Sequence, residues 1–122
     1  MEKVTGIGGV FFRARNPAAL SRWYAEHLGV TEPSADDDAQ PWSQEAGPTA
    51  WAAFPEDTDY FRRPDKTWMV NFRVRDLDAM VAQLRASGIT VEPDSADYPM
   101  GRFARLADPE ENQIELWEPK TH

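Results

Sequence analysis

The sequence contains no cysteine. This absence excludes disulfide bonds, catalysis by a thiolate and zinc sites built from cysteine. The sequence also has no apolar run of 18 residues, so no membrane-spanning helix is predicted. The opening residues, MEKVTGIGGVFF, lack the basic start, long apolar core and small-residue cleavage site of a signal peptide. We therefore predict a cytoplasmic protein that has no membrane partner.

Basic residues are scarce. The chain has 13 Lys and Arg residues against 21 Asp and Glu residues, which gives a formal net charge of -8 and a pI near 4.7. Nucleic acids and anionic membranes are bound by basic surfaces, so neither is predicted as a partner. A small molecule or another protein fits this charge better. Histidine is also rare, with only His27 and His122.

A chain of 122 residues is predicted to form one domain. Two independent domains of about 60 residues would each have a very small core, and a sequence without disulfides has little else to stabilise them. We therefore expect both halves to share one core.

The chain contains a repeat at an offset of sixty residues. Each copy opens with apolar residues at a period of two, which predicts a strand, and continues into an amphipathic helix. Asn16 and Asp76 are typical N-caps, and Gly29 and Gly88 stand where left-handed residues end helices. The identical pairs are Val10 and Val70, Phe12 and Phe72, Arg13 and Arg73, Arg15 and Arg75, and Ala19 and Ala79. Such a repeat predicts that the same supersecondary unit occurs twice in the chain.

Each copy continues with three short strand patterns, so each is predicted to be a βαβββ module. We predict module one at about 4–56, a connector at about 57–66 and module two at about 67–119. The acidic segment 31–40 lacks the glycine and distal glutamate of a calcium loop and is predicted to be a solvated loop. Tyr60 and Phe61 indicate that the connector packs against another part of the protein.

Three stretches resemble the vicinal oxygen chelate superfamily, which includes glyoxalase I, bleomycin-resistance proteins and extradiol dioxygenases. They are VFFRARNPAALSRWYAEHLGV, VNFRVRDLDAMVAQLRASGI and GRFARLADPEENQIELWEP. The resemblance implies an α+β fold in which two paired βαβββ modules form an open, cupped mixed sheet of eight strands, with the helices outside and the ligand site inside. It also implies a homodimer. Glu111 stands where the closing turn of these proteins often has glycine, which favours a different turn type here.

The resemblance also indicates where a metal would bind. In the best-known enzymes of the superfamily, histidine or glutamate from four strands holds a divalent ion in the cup. The corresponding positions here are Gly9, Trp51, Met69 and Glu115. Only Glu115 is a usual ligand, and one carboxylate does not hold a catalytic divalent ion. We therefore predict that no metal and no other cofactor is bound.

The lining of the cup follows from strand parity, because successive residues of a strand face opposite sides of a sheet. If Val10, Phe12 and Ala14 face the helices, the residues between them face the cup. The predicted ligand-binding residues are Phe11, Arg13, Trp51, Asn71, Arg73, Gln113 and Trp117. Aromatic walls with a few polar groups are typical of small-molecule sites.

Two features of this lining have more than one interpretation. Arg13 and Arg73 occupy equivalent places in the two modules, so they would clamp a carboxylate or phosphate between them. Alternatively, one or both pair with Glu115 or reach solvent. Without a partner, Glu115 would hold its proton more tightly and act as a general base, whereas beside an arginine it would stay ionised and be structural. The structural interpretation is favoured.

Together these observations predict a metal-free, small-molecule-binding protein that uses the cup as its site. The alternative is a glyoxalase-like isomerase or lyase, or a dioxygenase, which is either metal-independent with Glu115 as base or metal-dependent with unrecognised ligands. A third hypothesis is a protein-interaction role in which the cup has lost its function. The sequence does not name the ligand.

Overall fold

The computed structural model describes residues 1–31 and 42–120. The elements of this part of the chain are α1 (Pro17–Leu28), β1 (Val70–Arg73), α2 (Leu77–Ala86), β2 (Glu92–Pro93), β3 (Gly101–Ala107) and β4 (Gln113–Pro119). No helix in these ranges is long and apolar enough to cross a membrane. The predicted solvated loop, apart from Thr31, lies outside the described residues, and so does His122.

Both helices begin and end at the predicted residues. The side chains of Asn16 and Asp76 each accept a hydrogen bond from the backbone N–H three residues further on, at 3.2 and 3.0 Å. These bonds satisfy N–H groups that have no partner inside the helix. Gly29 and Gly88 have φ values of 73° and 81°, a conformation that glycine adopts at little steric cost. The predicted caps and glycine stops are therefore confirmed.

The strands form one open sheet with the order β1-β4-β3-β2. β4 pairs in parallel with β1 and antiparallel with β3, and β3 pairs antiparallel with β2. Because β1 and β4 run in the same direction, the chain must cross over between them, and α2 opens that crossover. Module two is thus a complete βαβββ unit, and the fold is α+β with a mixed, open sheet, as predicted.

The core lies between α2 and one face of this sheet. Its largest fully buried side chains are Leu77, Leu84, Ile114 and Leu116. Burying each such side chain stabilises the fold by about 1.5–3 kcal/mol relative to exposing it. The intervening residues of β4, Gln113, Glu115 and Trp117, face the other side of the sheet. The predicted parity of β4 is therefore confirmed.

The turn between β3 and β4 contacts α1 through a buried carboxylate. Asp108 is 4% exposed and accepts a hydrogen bond from the Tyr24 hydroxyl at 2.7 Å. It also accepts bonds from the backbone N–H groups of Glu110 and Asn112 and from the Asn112 side chain, at 2.8, 3.0 and 2.8 Å. Burial, followed by this contact with Asp108, raises the pKa of Tyr24. Asp108 therefore shapes the turn and attaches α1 to module two.

The same turn also contacts the residues that precede α1. The Glu110 carboxylate accepts hydrogen bonds from the backbone N–H groups of Arg15 and Asn16, at 2.6 and 3.0 Å. These two bonds hold the pKa of Glu110 below its ordinary value. Glu110 therefore fixes the entry to the first helix from a distance of more than ninety residues along the chain.

The strands predicted for module one do not form within residues 1–31 and 42–69. The Phe12 ring does pack towards α1, 6.3 Å from the Tyr24 ring. Phe11 and Trp51, however, are 94% and 80% exposed. A strand needs a partner edge for its backbone N–H and C=O groups, and the outer edge of β1 pairs with no described strand. The eight-stranded pairing of two modules and the module boundaries therefore stay predictions.

Candidate ligand-binding site

Three polar side chains lie side by side on the face of the sheet opposite α2. Asn71 on β1 is directly opposite Glu115 on the neighbouring strand β4. Arg105 on β3 is directly opposite Glu115 from the other side of β4. Neighbouring side chains at one level of a sheet point the same way and are close enough to interact. Glu115 is only 6% exposed. The sheet therefore sets a buried carboxylate between an amide and a guanidinium group.

Glu115 is surrounded by hydrogen-bond donors. The Asn71 side chain donates to Oε1 at 2.8 Å, and the Tyr60 hydroxyl donates to Oε2. Arg105 Nε lies 3.9 Å from the same Oε2 atom. Glu115 thus has the arginine partner that the structural interpretation requires. The partner is Arg105, whereas the sequence had suggested Arg13 or Arg73.

Tyr60 reaches this site from the connector between the modules. Its backbone carbonyl accepts a hydrogen bond from Arg105 Nη1 at 2.6 Å, and the guanidinium carbon of Arg105 lies 3.9 Å from the centre of its ring. On the other side, the ring stacks on Phe54 with centroids 5.1 Å apart. Burial, followed by the bond to Glu115, raises the pKa of Tyr60. The prediction that the connector packs against the rest of the protein is confirmed.

The sequence did not identify Tyr60 and Arg105 as site residues. Tyr60 lies 55 residues before Glu115, so no local pattern connects the two. Strand parity could have placed Arg105 on this face, since its neighbours Ala104 and Leu106 are buried against the core. The aromatic pair inside an otherwise polar connector was the only sequence signal for Tyr60.

A second row of side chains on the same face is mainly aromatic. Trp117 on β4 is directly opposite Arg73 on β1 and directly opposite Phe103 on β3. The Trp117 and Phe103 rings are stacked, with centroids 6.2 Å apart and planes 5° from parallel. Trp117 is fixed further by its indole N–H, which donates to the Met100 carbonyl at 2.9 Å. The two rows together form a polar strip beside an aromatic platform.

The predicted site residues of module two share this face. Asn71, Arg73, Glu115 and Trp117 lie in the two rows, and Gln113 lies on the same side of β4. The Arg73 guanidinium donates to the Glu45 carbonyl at 3.0 Å.

The predicted site residues of module one are elsewhere. Gly9, Phe11, Arg13 and Trp51 are exposed. Within residues 1–31 and 42–120, no hydrogen bond or ion pair joins any of them to the two rows. Binding by Phe11 and Trp51, and the clamp of Arg13 with Arg73, therefore stay predictions.

The positions that hold a metal in enzymes of this type do not fit an ion here. Gly9 offers no side-chain donor, and the Trp51 indole and the Met69 thioether are poor ligands for hard divalent cations. Both oxygens of Glu115 already accept hydrogen bonds. In the part of the chain that the structure describes, no group of three or more His, Asp or Glu side chains is arranged to hold a metal ion.

A cavity adjoins the polar row. It has a volume of about 470 Å³, and its wall includes Arg62, Arg105 and Gln113 on the polar side and Trp23 and Ile89 on the apolar side. Small-molecule sites usually have volumes of about 300–1,000 Å³ and combine apolar walls with a few polar groups. Of the residues on this face of the sheet, Arg105 and Gln113 line the cavity, whereas Asn71, Glu115 and Trp117 do not.

These features define a class of protein: a small α+β domain whose open mixed sheet leaves one face free for polar and aromatic side chains. The family model of the Glyoxalase-like domain matches residues 9–117. The chain belongs to this family, and the vicinal oxygen chelate resemblance seen in the sequence is confirmed.

Two solved structures that match most of the chain have the same fold. A glyoxylase/bleomycin resistance protein/dioxygenase domain from Frankia sp. EAN1pec is 18% identical over 97% of this chain and 100% of its own, with a TM-score of 0.61. TnmS3, an antibiotic binding protein from Streptomyces sp. CB03234, is 22% identical over 83% of this chain and 84% of its own, with a TM-score of 0.50. A glyoxalase family protein from Bacillus anthracis is 33% identical with a TM-score of 0.41, but the match covers only 48% of this chain and 47% of that one. No curated protein matches the sequence.

Proposed function

We propose that this protein binds a small organic molecule, without a bound metal, on the sheet face that carries Glu115 and Trp117. The observation that carries the proposal is the side-by-side arrangement of the two rows. The Trp117 and Phe103 rings stack on each other and leave apolar surface partly exposed, and the row of Asn71, Glu115 and Arg105 offers directional polar groups next to it. Such a combination orients a ligand as well as burying it. The antibiotic-binding neighbour TnmS3 supports the proposal.

A ligand screen with matched tryptophan variants tests this function. Small aromatic and acidic compounds are screened by thermal shift, and the affinity of each hit is measured by calorimetry. Trp117→Ala is expected to weaken binding at least tenfold. An aromatic ligand would lose its contact with the indole ring, worth about 0.5–1.5 kcal/mol, together with the apolar area buried against that ring. Trp68→Ala, at a 73% exposed position before β1, is the control and should bind normally. Equal affinities in both variants contradict the proposed site.

We also propose that the protein is a homodimer. Large apolar side chains of module one are left uncovered, with Val4, Phe11 and Trp51 at 92%, 94% and 80% exposure. Clusters of exposed apolar side chains commonly mark interaction surfaces. A second copy of the chain would supply the partner edges that the module one segments lack. The cytoplasmic location predicted from the sequence stays a prediction.

The alternative function is an isomerase or lyase in which Glu115 takes a proton from the substrate. Glu115 is buried among the residues of the proposed site, which favours this alternative, but both of its oxygens already accept hydrogen bonds, from Tyr60 and Asn71, so neither is free to take a proton from a substrate. Glu115→Gln distinguishes the two functions. Lost turnover with ligand binding retained favours the enzyme with Glu115 as base, unchanged turnover rules out Glu115 as the base, and an absence of turnover in the wild type favours the binding protein.

The metal-dependent version of this alternative, an isomerase or dioxygenase with ligands that the sequence did not reveal, has its own test. Elemental analysis of the purified protein and thermal shift with nickel, zinc, manganese and iron(II) measure whether an ion binds. One ion per chain that is lost in Glu115→Gln would favour this alternative over a metal-free site.

A further inference from the structure

The Tyr60 side chain occupies a slot that has all the parts of a binding site for a phenol. The guanidinium carbon of Arg105 lies over its ring, 3.9 Å from the centre, and the Phe54 ring stacks on it with centroids 5.1 Å apart. At the end of the slot, the Tyr60 hydroxyl donates to the Glu115 carboxylate. A flat ring held between a cation and an aromatic group, with an acceptor at its tip, is recognised by shape and by one hydrogen bond.

The slot does not depend on Tyr60 for its polar parts. Arg105 and Glu115 stand level on β3 and β4, and Asn71 holds the second oxygen of Glu115 from β1. Tyr60 arrives on the connector, which is anchored after Tyr60 by the surface ion pairs of Arg62 with Glu92 and of Arg63 with Glu111. These anchors are exposed, and surface ion pairs contribute about 0–1 kcal/mol each. The connector is therefore easier to displace than the sheet residues that form the slot.

The backbone of the connector departs from a relaxed conformation directly after Tyr60. Arg62 has a φ of 65°, in the left-handed region that is unfavourable for residues with a Cβ atom. The Arg62 N–H donates to the Asp59 carbonyl at 2.9 Å, so a local turn of the connector holds this conformation. The closed arrangement therefore includes a local backbone cost.

We propose that the ligand of this site carries a neutral phenol-like ring, and that the ring takes the place of the Tyr60 side chain on Glu115. This inference rests on the proposed binding function and names the chemical class of its ligand. The ligand must donate a hydrogen bond, because Glu115 is an acceptor. A phenol therefore binds, an aryl ether lacks the donor, and an aromatic carboxylate is repelled by Glu115. Tyr60 acts as an internal competitor that keeps the slot closed when no ligand is present.

The test uses three para-substituted toluenes of similar size: p-cresol, which is the side chain of tyrosine, 4-methylanisole and p-toluate. Calorimetry with wild type, Tyr60→Phe and Tyr60→Ala measures their affinities. Tyr60→Phe keeps the competing ring but removes its bond to Glu115, so p-cresol is expected to bind about tenfold more tightly than to wild type. The gain should be larger in Tyr60→Ala. In all three proteins 4-methylanisole and p-toluate should bind at least tenfold more weakly than p-cresol, because weakening the internal competitor helps every ligand equally and leaves the preference for a hydrogen-bond donor unchanged.

A second measurement separates displacement of Tyr60 from simple filling of an engineered hole, because it uses the wild-type protein. Trypsin cleaves after Arg62 and Lys66, which lie in the connector, whereas the bond after Arg63 resists because Pro64 follows it. At saturating p-cresol, cleavage at these residues is expected to accelerate about fivefold or more, since proteolysis follows the population of the open form. The same concentration of 4-methylanisole should have no effect.

The inference is overturned if p-cresol binds Tyr60→Phe no better than wild type, if the ether binds as well as the phenol, or if p-cresol leaves the cleavage rate unchanged. Its failure differs from failure of the binding function. If another compound from the screen still binds in a Trp117-dependent way, the sheet face remains a binding site and only the phenol slot is rejected.

Discussion

Single polar residues join the first half of the chain to the second, in addition to the packing of Trp23, Tyr24 and Leu28 against the core. Asp108 and Glu110 bind α1 and the residues before it, and Glu115 binds the connector. Each of these carboxylates accepts several hydrogen bonds, so each leaves donors without partners when it is removed. Leaving one buried donor unsatisfied costs about 1–3 kcal/mol. We therefore expect substitutions at these three positions to loosen the whole first half.

The Tyr24 to Asp108 bond gives a test by pH. The pKa of Tyr24 is raised in the folded protein, while in the unfolded chain it is about 10. Above pH 10 the unfolded state therefore loses this proton before the folded state does, so the free energy of unfolding falls as pH rises, by up to about 1.4 kcal/mol per pH unit for one group. Tyr24→Phe should lose about 1.5–3 kcal/mol at neutral pH, the value of a hydrogen bond to a charged group, and should show a shallower alkaline slope.

Urea unfolding between pH 8 and pH 11 measures both effects. Tyr98→Phe is the control, because the Tyr98 hydroxyl bonds Asp94 at 2.8 Å on the exposed surface, where solvent screens the interaction. Its stability at neutral pH should change little. Equal slopes for wild type and Tyr24→Phe would show that the buried bond does not control the titration of Tyr24.

At the scale of elements, the turn between β3 and β4 shows how a sequence departs from a rule and keeps the geometry. The absence of glycine at residue 111 suggested a different turn type. Glu111 nevertheless has a φ of 66°, the conformation that glycine usually supplies, and its N–H donates to the Asp108 carbonyl at 2.9 Å. Glu111 thus adopts a backbone conformation that glycine would favour, in a turn that the hydrogen bonds of Asp108 hold together, and the different turn type stays a prediction.

Glycine at this position should therefore stabilise the turn. Glu111→Gly removes the steric cost of the left-handed conformation, about 1–2 kcal/mol for a residue with a Cβ atom, although glycine loses some of this gain through its flexible unfolded state. Glu111→Ala is the matched control, because it also removes the ion pair with Arg63 but keeps the Cβ atom. We expect Glu111→Gly to be more stable than Glu111→Ala by about 1 kcal/mol in urea unfolding. The opposite order would mean that the backbone relaxes at residue 111.

The elements that the sequence predicted correctly are those whose signals are local. The caps at Asn16 and Asp76 and the alternation along β4 depend on residues a few positions apart, and the structure confirms them. The strands of module one need a partner edge, which local alternation does not specify, so they were predicted where none forms in the described chain. The same limit applies to the site. Parity found Asn71, Glu115 and Trp117, but the contact of Tyr60 depends on a long-range path of the connector that no period in the sequence encodes.

At the scale of the whole molecule, the uneven distribution of exposed apolar side chains sets the expected oligomer. Light scattering after size exclusion should give twice the chain mass of 13.8 kDa. A double variant, Phe11→Ser with Trp51→Ser, should shift the protein to the monomer, because it replaces two of the most exposed apolar side chains of module one. Glu26→Ser, on the exposed side of α1, is the control and should remain dimeric. A monomeric wild type would contradict the homodimer.

The position of β4 inside the sheet constrains the order in which the protein folds. A ribosome makes β4 after every other described strand, yet β4 separates β1 from β3, and its contacts with β1 span 44 residues. Closing a loop of this size costs chain entropy before any contact compensates for it. The hairpin of β3 and β4 has the most local pairing, so we expect it to nucleate folding. The emerging polypeptide should therefore stay unassembled until translation passes Pro119, and the sheet should then form in one cooperative step.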